Sequence, residues 1–576
     1  MIKRLWNLLG KYKKLLVIST VLVILEIIFD LQIPVLMQNI IDIGIRGDGG
    51  ISYVIKCGVQ MVFLALLALI FGSTSGILSS RASAGLSKEM RTAMFDKIQD
   101  YSFSNIDKFS TPSLLTRLTR DVMEVRMAFI QAARIMIRGP LMLILTMILA
   151  IRISPSLALI LLAAIPVLGI TFFLVFKNAH PIFLVMMSKF DKLNANIQEN
   201  LIGIRVVKTF VRGDYEIDKF VDSAEDVRDT QAKAERIISF NRLMMELTIY
   251  CCILAVAWFG GNMMVSEGLT TGEFTRFMSY INQIMMQLMM LNMATVQLVT
   301  CETSAERIFE VMDEEIDITE ELANPNNQVR DGSVSFEHVN FSYSKNRENL
   351  TLEDINLEIA SGETVGIIGS TGVGKSALVQ LIPRLYDVMD GCVRVGGIDV
   401  RQYEKHTLRE SVAMVLQKNV LFAGTIMENL RWGNEKATDE EVYAACRAAC
   451  AHDFIQSMPE GYDTFLGQGG VNLSGGQKQR VCIARALIKK PKIMILDDST
   501  SAVDTATDAS IRKALKEELA GMTTIIIAQR VASVMEADKI LVMENGKIRD
   551  MGNHETLMQQ SDIYRELYES QQKGVE

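Results

Sequence analysis

Six long apolar runs dominate the first half of this 576-residue chain. They cover residues 15–37, 54–78, 133–152, 155–177, 241–264 and 273–299. Each is close to the ~20 residues that an α-helix needs to cross the hydrocarbon core of a bilayer. Within that core a chain must satisfy its backbone hydrogen bonds internally, which α-helices do. The runs therefore predict six transmembrane helices.

Basic residues orient these helices. Lys3, Arg4, Lys11, Lys13 and Lys14 precede the first run, and no small-residue cleavage pattern follows it, so we expect no cleavable signal peptide. Positive flanks favour the cytosolic side, which places the N-terminus in the cytosol. Two long links rich in Lys and Arg predict two cytosolic extensions. We expect segments near 105–111 and 209–214, within these extensions, to be coupling segments that contact the second half of the chain near Gln417.

The second half has the composition of a soluble α/β domain. We therefore predict a transmembrane domain over 1–305, a polar linker over 306–332 and a soluble domain over 333–576, which its phosphate-binding motifs then identify as a nucleotide-binding domain. A net charge of -8 argues against nucleic acid as a partner. The eight cysteines are scattered, and reduced thiols in a cytosolic setting are favoured over a metal site.

A glycine-rich loop follows a short apolar strand at 364–368 and precedes a predicted helix. The loop consists of Gly369, Ser370, Thr371, Gly372, Val373, Gly374, Lys375 and Ser376. This G-x-x-x-x-G-K-S spacing in a strand–loop–helix context predicts a phosphate-binding loop. Its backbone N–H groups and the helix dipole favour a polyphosphate. Lys375 would reach the β- and γ-phosphates and Ser376 would bind Mg²⁺, so ATP and Mg²⁺ are the expected ligands.

A second apolar strand, at 492–497, ends in two acidic residues. It fits a buried parallel strand that presents Asp497 to the Mg²⁺ shell. Asp498 would face the water that attacks the γ-phosphate. Two solvated aspartates at an ordinary strand end are the alternative, which the nearby phosphate loop disfavours.

A third motif indicates the family. Ser474, Gly475, Gly476 and Gln477 follow Leu473 and precede a helix-like segment, and together they resemble the ABC signature. Segments 115–122 and 198–208 resemble the cytosolic extensions of the six-span exporters. The chain is thus similar to an ABC half-transporter of the multidrug or lipid exporter type. This resemblance implies an all-α transmembrane domain of six long helices, followed by an α/β ABC domain with a P-loop core and a helical subdomain.

The resemblance also assigns roles to residues that spacing alone does not. Tyr343 matches the aromatic residue that stacks on adenine, and Gln417 matches the glutamine that touches Mg²⁺ and senses the membrane domain. Asp504 matches the aspartate of the D-loop at 501–504. Gln468 lies in a Gly-Gln-Gly segment where exporters carry Gly-Glu-Arg-Gly. In this family each ATP lies between the phosphate loop of one subunit and the signature of the other, so Ser474 would serve a partner's site.

Two departures from the family pattern concern hydrolysis. Asp498 stands where hydrolysing members carry glutamate, and its arm is one methylene too short for a general base. Gln529 replaces the switch histidine, and an amide cannot become cationic. Together they predict a site that holds ATP but hydrolyses it slowly, paired with a non-identical half-transporter that has the competent residues. A homodimer that works with aspartate and glutamine is the alternative.

The expected function is ATP-driven export of hydrophobic or amphipathic compounds, drugs or lipids, across a bacterial plasma membrane. Two other functions stay open: import on the same scaffold, as in some siderophore systems, and ATP sensing without transport.

The membrane half contains few polar signals. Glu26 and Asp30 share one face of the first span, and Arg134 and Arg138 share one face of the third. Because ionised groups at this depth face protein or water, ion pairing is favoured over recognition of cationic cargo. The sixth span contains Met278, Met285, Met286, Met289, Met290 and Met293. This methionine stripe fits a promiscuous cavity and ordinary helix packing equally well.

Overall fold

The computed structural model describes residues 2–266, 268–498, 505–518 and 521–573. Its contacts divide the chain into two units. The helical unit comprises Met1–Gln99 and Pro112–Asp313, and the ATPase unit comprises Asp100–Thr111 and Glu314–Glu576. The short segment Asp100–Thr111 thus packs with the ATPase unit although the chain on both sides of it is helical membrane domain.

Ten helices precede the first strand in the described residues. They are α1 (Ile2–Leu8), α2 (Lys13–Asn39), α3 (Gly50–Asp100), α4 (Phe103–Phe109), α5 (Thr111–Thr116), α6 (Val122–Ile153), α7 (Pro155–Ile202), α8 (Ile204–Thr209), α9 (Gly213–Val265) and α10 (Thr271–Asp313). Six are long, namely α2, α3, α6, α7, α9 and α10, and the predicted six-helix architecture is confirmed. Helix α10 continues to Asp313, so the polar linker begins later than residue 306.

Five of the six long helices are apolar enough, over their described residues, to cross a membrane. The apolar segments are Gly10–Ile45, Gly50–Asp100, Thr111–Ile153, Pro155–Ala179 and Gly213–Val265. Helix α10 has polar residues among its described residues, including Asn282, Gln283 and Gln287. Its Phe277 and Tyr280 are fully buried in the helical core, where protein neighbours lower the need for a lipid-compatible surface.

The methionine stripe of α10 divides between core and surface. Met285 is buried in the helical core, whereas Met286 and Met293 are 60% and 71% exposed in this single chain. The buried Met285 supports the interpretation that the stripe packs helices. The exposed Met286 and Met293 are compatible with the interpretation that it lines a promiscuous cavity.

The remaining elements form the ATPase unit. They are β1 (Val334–Phe341), β2 (Leu352–Ile359), β3 (Thr364–Ile368), α11 (Lys375–Gln380), β4 (Asp390–Val395), β5 (Ile398–Asp399), α12 (Lys405–Ser411), β6 (Val412–Val415), β7 (Gly424–Thr425), α13 (Ile426–Arg431), α14 (Asp439–Ala448), α15 (His452–Gln456), β8 (Phe465–Leu466), α16 (Gly475–Ile488), β9 (Ile493–Asp497), α17 (Thr505–Glu518), β10 (Thr523–Ile527), β11 (Lys539–Glu544), β12 (Lys547–Gly552), α18 (His554–Gln560) and α19 (Asp562–Lys573).

The central sheet has the strand order β12-β11-β3-β10-β9-β6. All adjacent strands in this sheet pair in parallel, except that the edge strand β12 pairs antiparallel with β11. Every residue of β9 and β10 is buried, as expected for parallel strands covered on both faces. Ile527 of β10 pairs with Ile367 of β3 on one side and with Asp497 of β9 on the other. The loops after these three strands therefore meet at one edge of the sheet.

A buried amide closes the loop that follows Gln417. Asn429, 1% exposed, accepts a hydrogen bond from the Phe422 N–H at 2.8 Å and donates to the Phe422 and Thr425 carbonyls at 2.9 and 3.0 Å. The Asn429 amide thereby supplies hydrogen bonds to backbone groups of this loop in place of helix or strand partners.

We expect Asn429→Leu to destabilise the ATPase unit by about 2–3 kcal/mol, because it leaves backbone groups of the loop unpaired. The midpoint of thermal unfolding of the full chain should fall by roughly 5 °C. Asn434→Leu, at an exposed turn nearby, is the matched control and should change it by less than about 2 °C. Equal midpoints for the two variants would contradict this role of Asn429.

Candidate active site

The phosphate loop follows β3 directly, and its glycines are required by geometry. A Cβ on Gly369 would lie 2.3 Å from the Met543 carbonyl oxygen. Gly374 has φ +96°, a conformation that residues with a Cβ rarely adopt. The Lys375 ammonium donates to the Gly369 and Ser370 carbonyls at 2.8 and 2.7 Å. It is therefore folded back over the loop, and a polyphosphate could replace these carbonyls as its acceptor.

The end of β9 supplies oxygen ligands suited to Mg²⁺. Ser376 Oγ donates to Asp497 Oδ1 at 3.0 Å, and Asp497 is 4% exposed. Burial raises the pKa of Asp497, although the Ser376 hydrogen bond and Lys375 oppose that shift. A buried carboxylate beside a hydroxyl fits a hard cation that takes its other ligands from phosphates and water. Burial likewise lowers the pKa of Lys375, an effect that Asp498 and Asp497 oppose.

Asp498, Gln529 and Gln417 converge on one another. Asp498 has a left-handed backbone, with φ 48°, and its N–H donates to the Ile527 carbonyl at 3.0 Å. Its Oδ2 accepts hydrogen bonds from Gln529 Nε2 at 2.8 Å and from Gln417 Nε2 at 3.4 Å. Gln417, predicted to bind Mg²⁺, thus contacts Asp498. At Oδ2 of this shorter carboxylate the two amide donors compete with any water that the oxygen would deprotonate.

Tyr343 lies beside the helix that follows the phosphate loop. Its hydroxyl donates to Gln380 Oε1 at 2.9 Å, and its ring packs edge-on against Phe341 and Tyr386, with centroids 4.9 and 5.1 Å away. Burial raises the pKa of Tyr343 to about 12, so the phenol is neutral at physiological pH. The ring is 44% exposed, and adenine stacking by Tyr343 stays a prediction.

The signature begins a 14-residue helix, α16. Ser474 is its N-cap: Ser474 Oγ accepts from the Gln477 N–H at 3.3 Å, and Gln477 Oε1 accepts from the Ser474 N–H at 2.9 Å. Ser474 and Gly475 are exposed, and Gly476 is partly exposed. The first N–H groups of a helix have no intrahelical acceptor, so this surface can bind an anion from outside the chain. Asp504 lies outside the described residues.

Gln571 contacts the loop of Gln529, and no motif in the sequence indicated this residue. Gln571 of α19 donates through Nε2 to the Gln529 carbonyl at 2.8 Å and accepts through Oε1 from the Val531 N–H at 2.8 Å. The C-terminal helix thereby holds the backbone of the loop that presents Gln529. Only the folded structure brings residues so distant in sequence together.

Helix α4 docks on the ATPase unit through aromatic and polar contacts. Phe103 stacks on Tyr386, with centroids 6.0 Å apart, and the Tyr386 hydroxyl donates to Asp107 Oδ2 at 2.7 Å. Ser102 and Ser104 donate to Asp317. Tyr386 also packs against Tyr343. The first predicted coupling segment thus lies against the aromatic cluster beside the phosphate loop. Docking of the second, near α8, stays a prediction.

Asp317 illustrates how this docking uses charge. Burial alone would raise the pKa of Asp317, but hydrogen bonds from Ser102, Ser104 and Lys345 lower it below the usual value. A lowered pKa means that ionised Asp317 favours the docked state at neutral pH and that this contribution is lost in acid.

We expect Gln571→Ala to loosen the loop around Gln529. Amide hydrogen exchange at Val531 should accelerate roughly fivefold, since a net hydrogen bond contributes about 1 kcal/mol. Gln572→Ala is the control, because the side chain of Gln572 donates to Tyr568 within α19 and not to the loop of Gln529. Unchanged amide exchange at Val531 in Gln571→Ala would contradict the proposal that Gln571 holds this loop.

Comparison with known proteins matches both halves of the chain. A family model of the ABC transporter transmembrane region matches residues 16–288, and an ABC transporter model matches residues 352–501. The chain is 35% identical to the ABC transporter ATP-binding protein YfiB of Bacillus subtilis over 98% of both chains. It is 32% identical, over 98% of each chain, to YgaD of the same organism, provisionally named a multidrug export ATP-binding/permease protein.

The fold comparison agrees with these matches. A bacterial Atm1-family ABC exporter with ATP bound superposes with a TM-score of 0.84. The two chains share 24% identity, and the match covers 97% of this chain and 99% of the other. At that identity the likeness is evidence for the shared fold.

Proposed function

This chain belongs to the ABC transporter family as an exporter-type half-transporter, and from that premise we propose that it is the non-hydrolysing half of a heterodimeric exporter. Its own phosphate loop would retain ATP, and its signature would complete the active site of a non-identical partner. The cargo class that we propose is hydrophobic or amphipathic, which the name of YgaD supports.

The carrying observation is the environment of Asp498. A general base must point a free oxygen at the water whose proton it takes. Asp498 is one methylene shorter than glutamate, and its Oδ2 accepts from two amide side chains, Gln529 at 2.8 Å and Gln417 at 3.4 Å. Neither amide can become cationic at the γ-phosphate. This arrangement favours retention of ATP over turnover.

The residues that would bind ATP and Mg²⁺ match the family pattern, unlike those that would hydrolyse ATP. Lys375 is positioned to exchange loop carbonyls for phosphate oxygens, and Ser376 and Asp497 would hold Mg²⁺. When bound, the ion would neutralise charge on the phosphates. A phosphate loop that has its ATP- and Mg²⁺-binding residues, next to an Asp498 that is poorly placed as a general base, supports our proposal that this site retains ATP while the partner's site hydrolyses it.

The exposed signature supports the need for a second subunit. Ser474 and Gly475 present hydroxyl and N–H donors to solvent at the start of α16. Such donors stabilise charge on a γ-phosphate when another chain brings it to them. Each composite site would then contain one phosphate loop and one signature from different chains.

Coupling to the membrane would begin at α4. ATP binding closes the two ATPase domains, and the Tyr343–Tyr386–Phe103 contacts would pass that closure to the membrane helices. The cavity would then turn from inward- to outward-facing, since ATP binds one state more tightly than the other. We place the N-terminus and the ATPase domain in the cytosol of a bacterial cell, following the basic residues around the first span.

Two variants separate the two sites in the complex with the partner. Asp498→Asn should leave ATP turnover within about twofold, because this carboxylate is not the working base. Ser474→Ala should lower turnover at least about tenfold, because it removes a donor from the competent site. The measurement is steady-state phosphate release in proteoliposomes.

The chain purified alone is the control. We expect ATP binding with little turnover. Rapid turnover by the self-paired chain that Asp498→Asn abolishes would contradict the proposal and favour the homodimer.

A further inference from the structure

A polar cavity of about 810 Å³ lies among α2, α3 and α6 of the helical unit. One wall is apolar and includes Ile33, Leu69 and Ile77. Glu26, Asp30, Arg134, Arg138 and Arg81 line the rest. All three helices contain apolar segments long enough to cross a bilayer. Ionised groups at such positions are costly and usually have a function.

Arg138 is committed to the two acidic residues. Its Nη1 donates to Glu26 Oε1 at 2.6 Å and its Nη2 donates to Asp30 Oδ2 at 2.9 Å. This confirms the ion pairing predicted from the sequence. Because the same guanidinium binds both carboxylates, a cationic ligand would have to displace it, which disfavours cationic cargo here.

Arg134 and Arg81 form no ion pair or hydrogen bond with another described residue. The cavity thus has three guanidinium groups and two carboxylates. Arg134 Nη1 lies 3.3 Å from the position that a Cβ on Gly76 would take, so the glycine leaves room for the guanidinium at the wall. The excess positive charge calls for an anion, which the described chain does not supply.

A buried acceptor adds a second requirement. Glu26 is 6% exposed, and its Oε2 has no hydrogen-bond partner among the described residues. An unpaired buried polar atom is destabilising, so a donor on a bound molecule would stabilise it. The cavity therefore suits an anionic group that has a hydroxyl or ammonium donor close by.

We propose that this cavity binds the headgroup of an anionic membrane amphiphile, with Arg134 and Arg81 on the phosphate, a headgroup donor on Glu26 and the acyl chain along Ile33, Leu69 and Ile77. The molecule is a resident lipid or the cargo itself. The inference deepens the proposed function by naming a ligand class, and it rests on that function only for whether the bound amphiphile is transported.

Binding is measured on the full chain by native mass spectrometry, without nucleotide. Phosphatidylglycerol should bind in preference to phosphatidylcholine of the same acyl chains. Arg134→Gln should weaken phosphatidylglycerol binding about tenfold, as expected for loss of a charge-assisted hydrogen bond. Arg134→Lys keeps the charge and should stay within about threefold. Arg152→Gln, at the exposed last turn of α6 and outside the cavity, should change nothing.

A second variant covers the case in which Arg134→Gln does not fold. Ser73→Trp fills the cavity without changing its charge and should weaken binding at least about tenfold as well. Equal binding of both lipids by the unmodified chain, or unchanged binding after Arg134→Gln or Ser73→Trp, overturns the proposal.

Hexadecyl phosphate, added from solution to the chain in phosphatidylcholine nanodiscs, distinguishes the two sources. If hexadecyl phosphate binds in an Arg134-dependent way and is released when ATP and Mg²⁺ are added to the complex with the partner, the site binds cargo. If phosphatidylglycerol stays bound under the same conditions, the ligand is a resident lipid. Either result supports the site. The lipid preference and its dependence on Arg134 are measured without nucleotide, so failure of the export proposal would leave them unchanged. Failure of the lipid site would likewise leave the ATPase results unchanged.

Discussion

The register of three parallel strands is the constraint on which the nucleotide site depends. Strand β10 lies between β3 and β9, and its Ile527 is level with both Ile367 and Asp497. The loops that leave these strands therefore emerge side by side, which joins Ser376 to Asp497 and Gln529 to Asp498. A shift of one residue would turn these side chains to the other face of the sheet. The residues that we propose for ATP binding and those that we propose for hydrolysis thus depend on the same strand register.

The membrane half depends on a different constraint, the cost of unpaired charge in hydrocarbon. Arg138 satisfies Glu26 and Asp30 together and joins α2 to α6. Ser19 bonds to Ser75 and Ser79 and joins α2 to α3. The positive charge on Arg134, which no described carboxylate pairs with, is the basis of the anion site that we propose. Polar groups thus contribute to how these helices associate.

Segments that lie far apart in sequence meet inside the ATPase unit. Helix α4 belongs to the ATPase unit by its contacts although it lies between membrane helices in the chain. Its partner Tyr386 also packs against Tyr343, beside the phosphate loop. Gln571 at the C-terminus holds the loop of Gln529. The site is therefore supported by residues from both halves of the sequence, and local motifs alone do not define it.

Sequence by itself determined the long helices, the phosphate loop and the acidic end of β9, because each follows from local periodicity or from fixed spacing. The signature and the departures at Asp498 and Gln529 were found through the resemblance of the sequence to the ABC family. Only the tertiary structure decided that both amides bond Asp498, that Arg138 rather than Arg134 takes the two acidic residues, and that Gln571 is near the site. The physical reason is that such contacts depend on how strands and helices pack in three dimensions, and side-chain pairing between distant elements leaves no periodic trace in one chain.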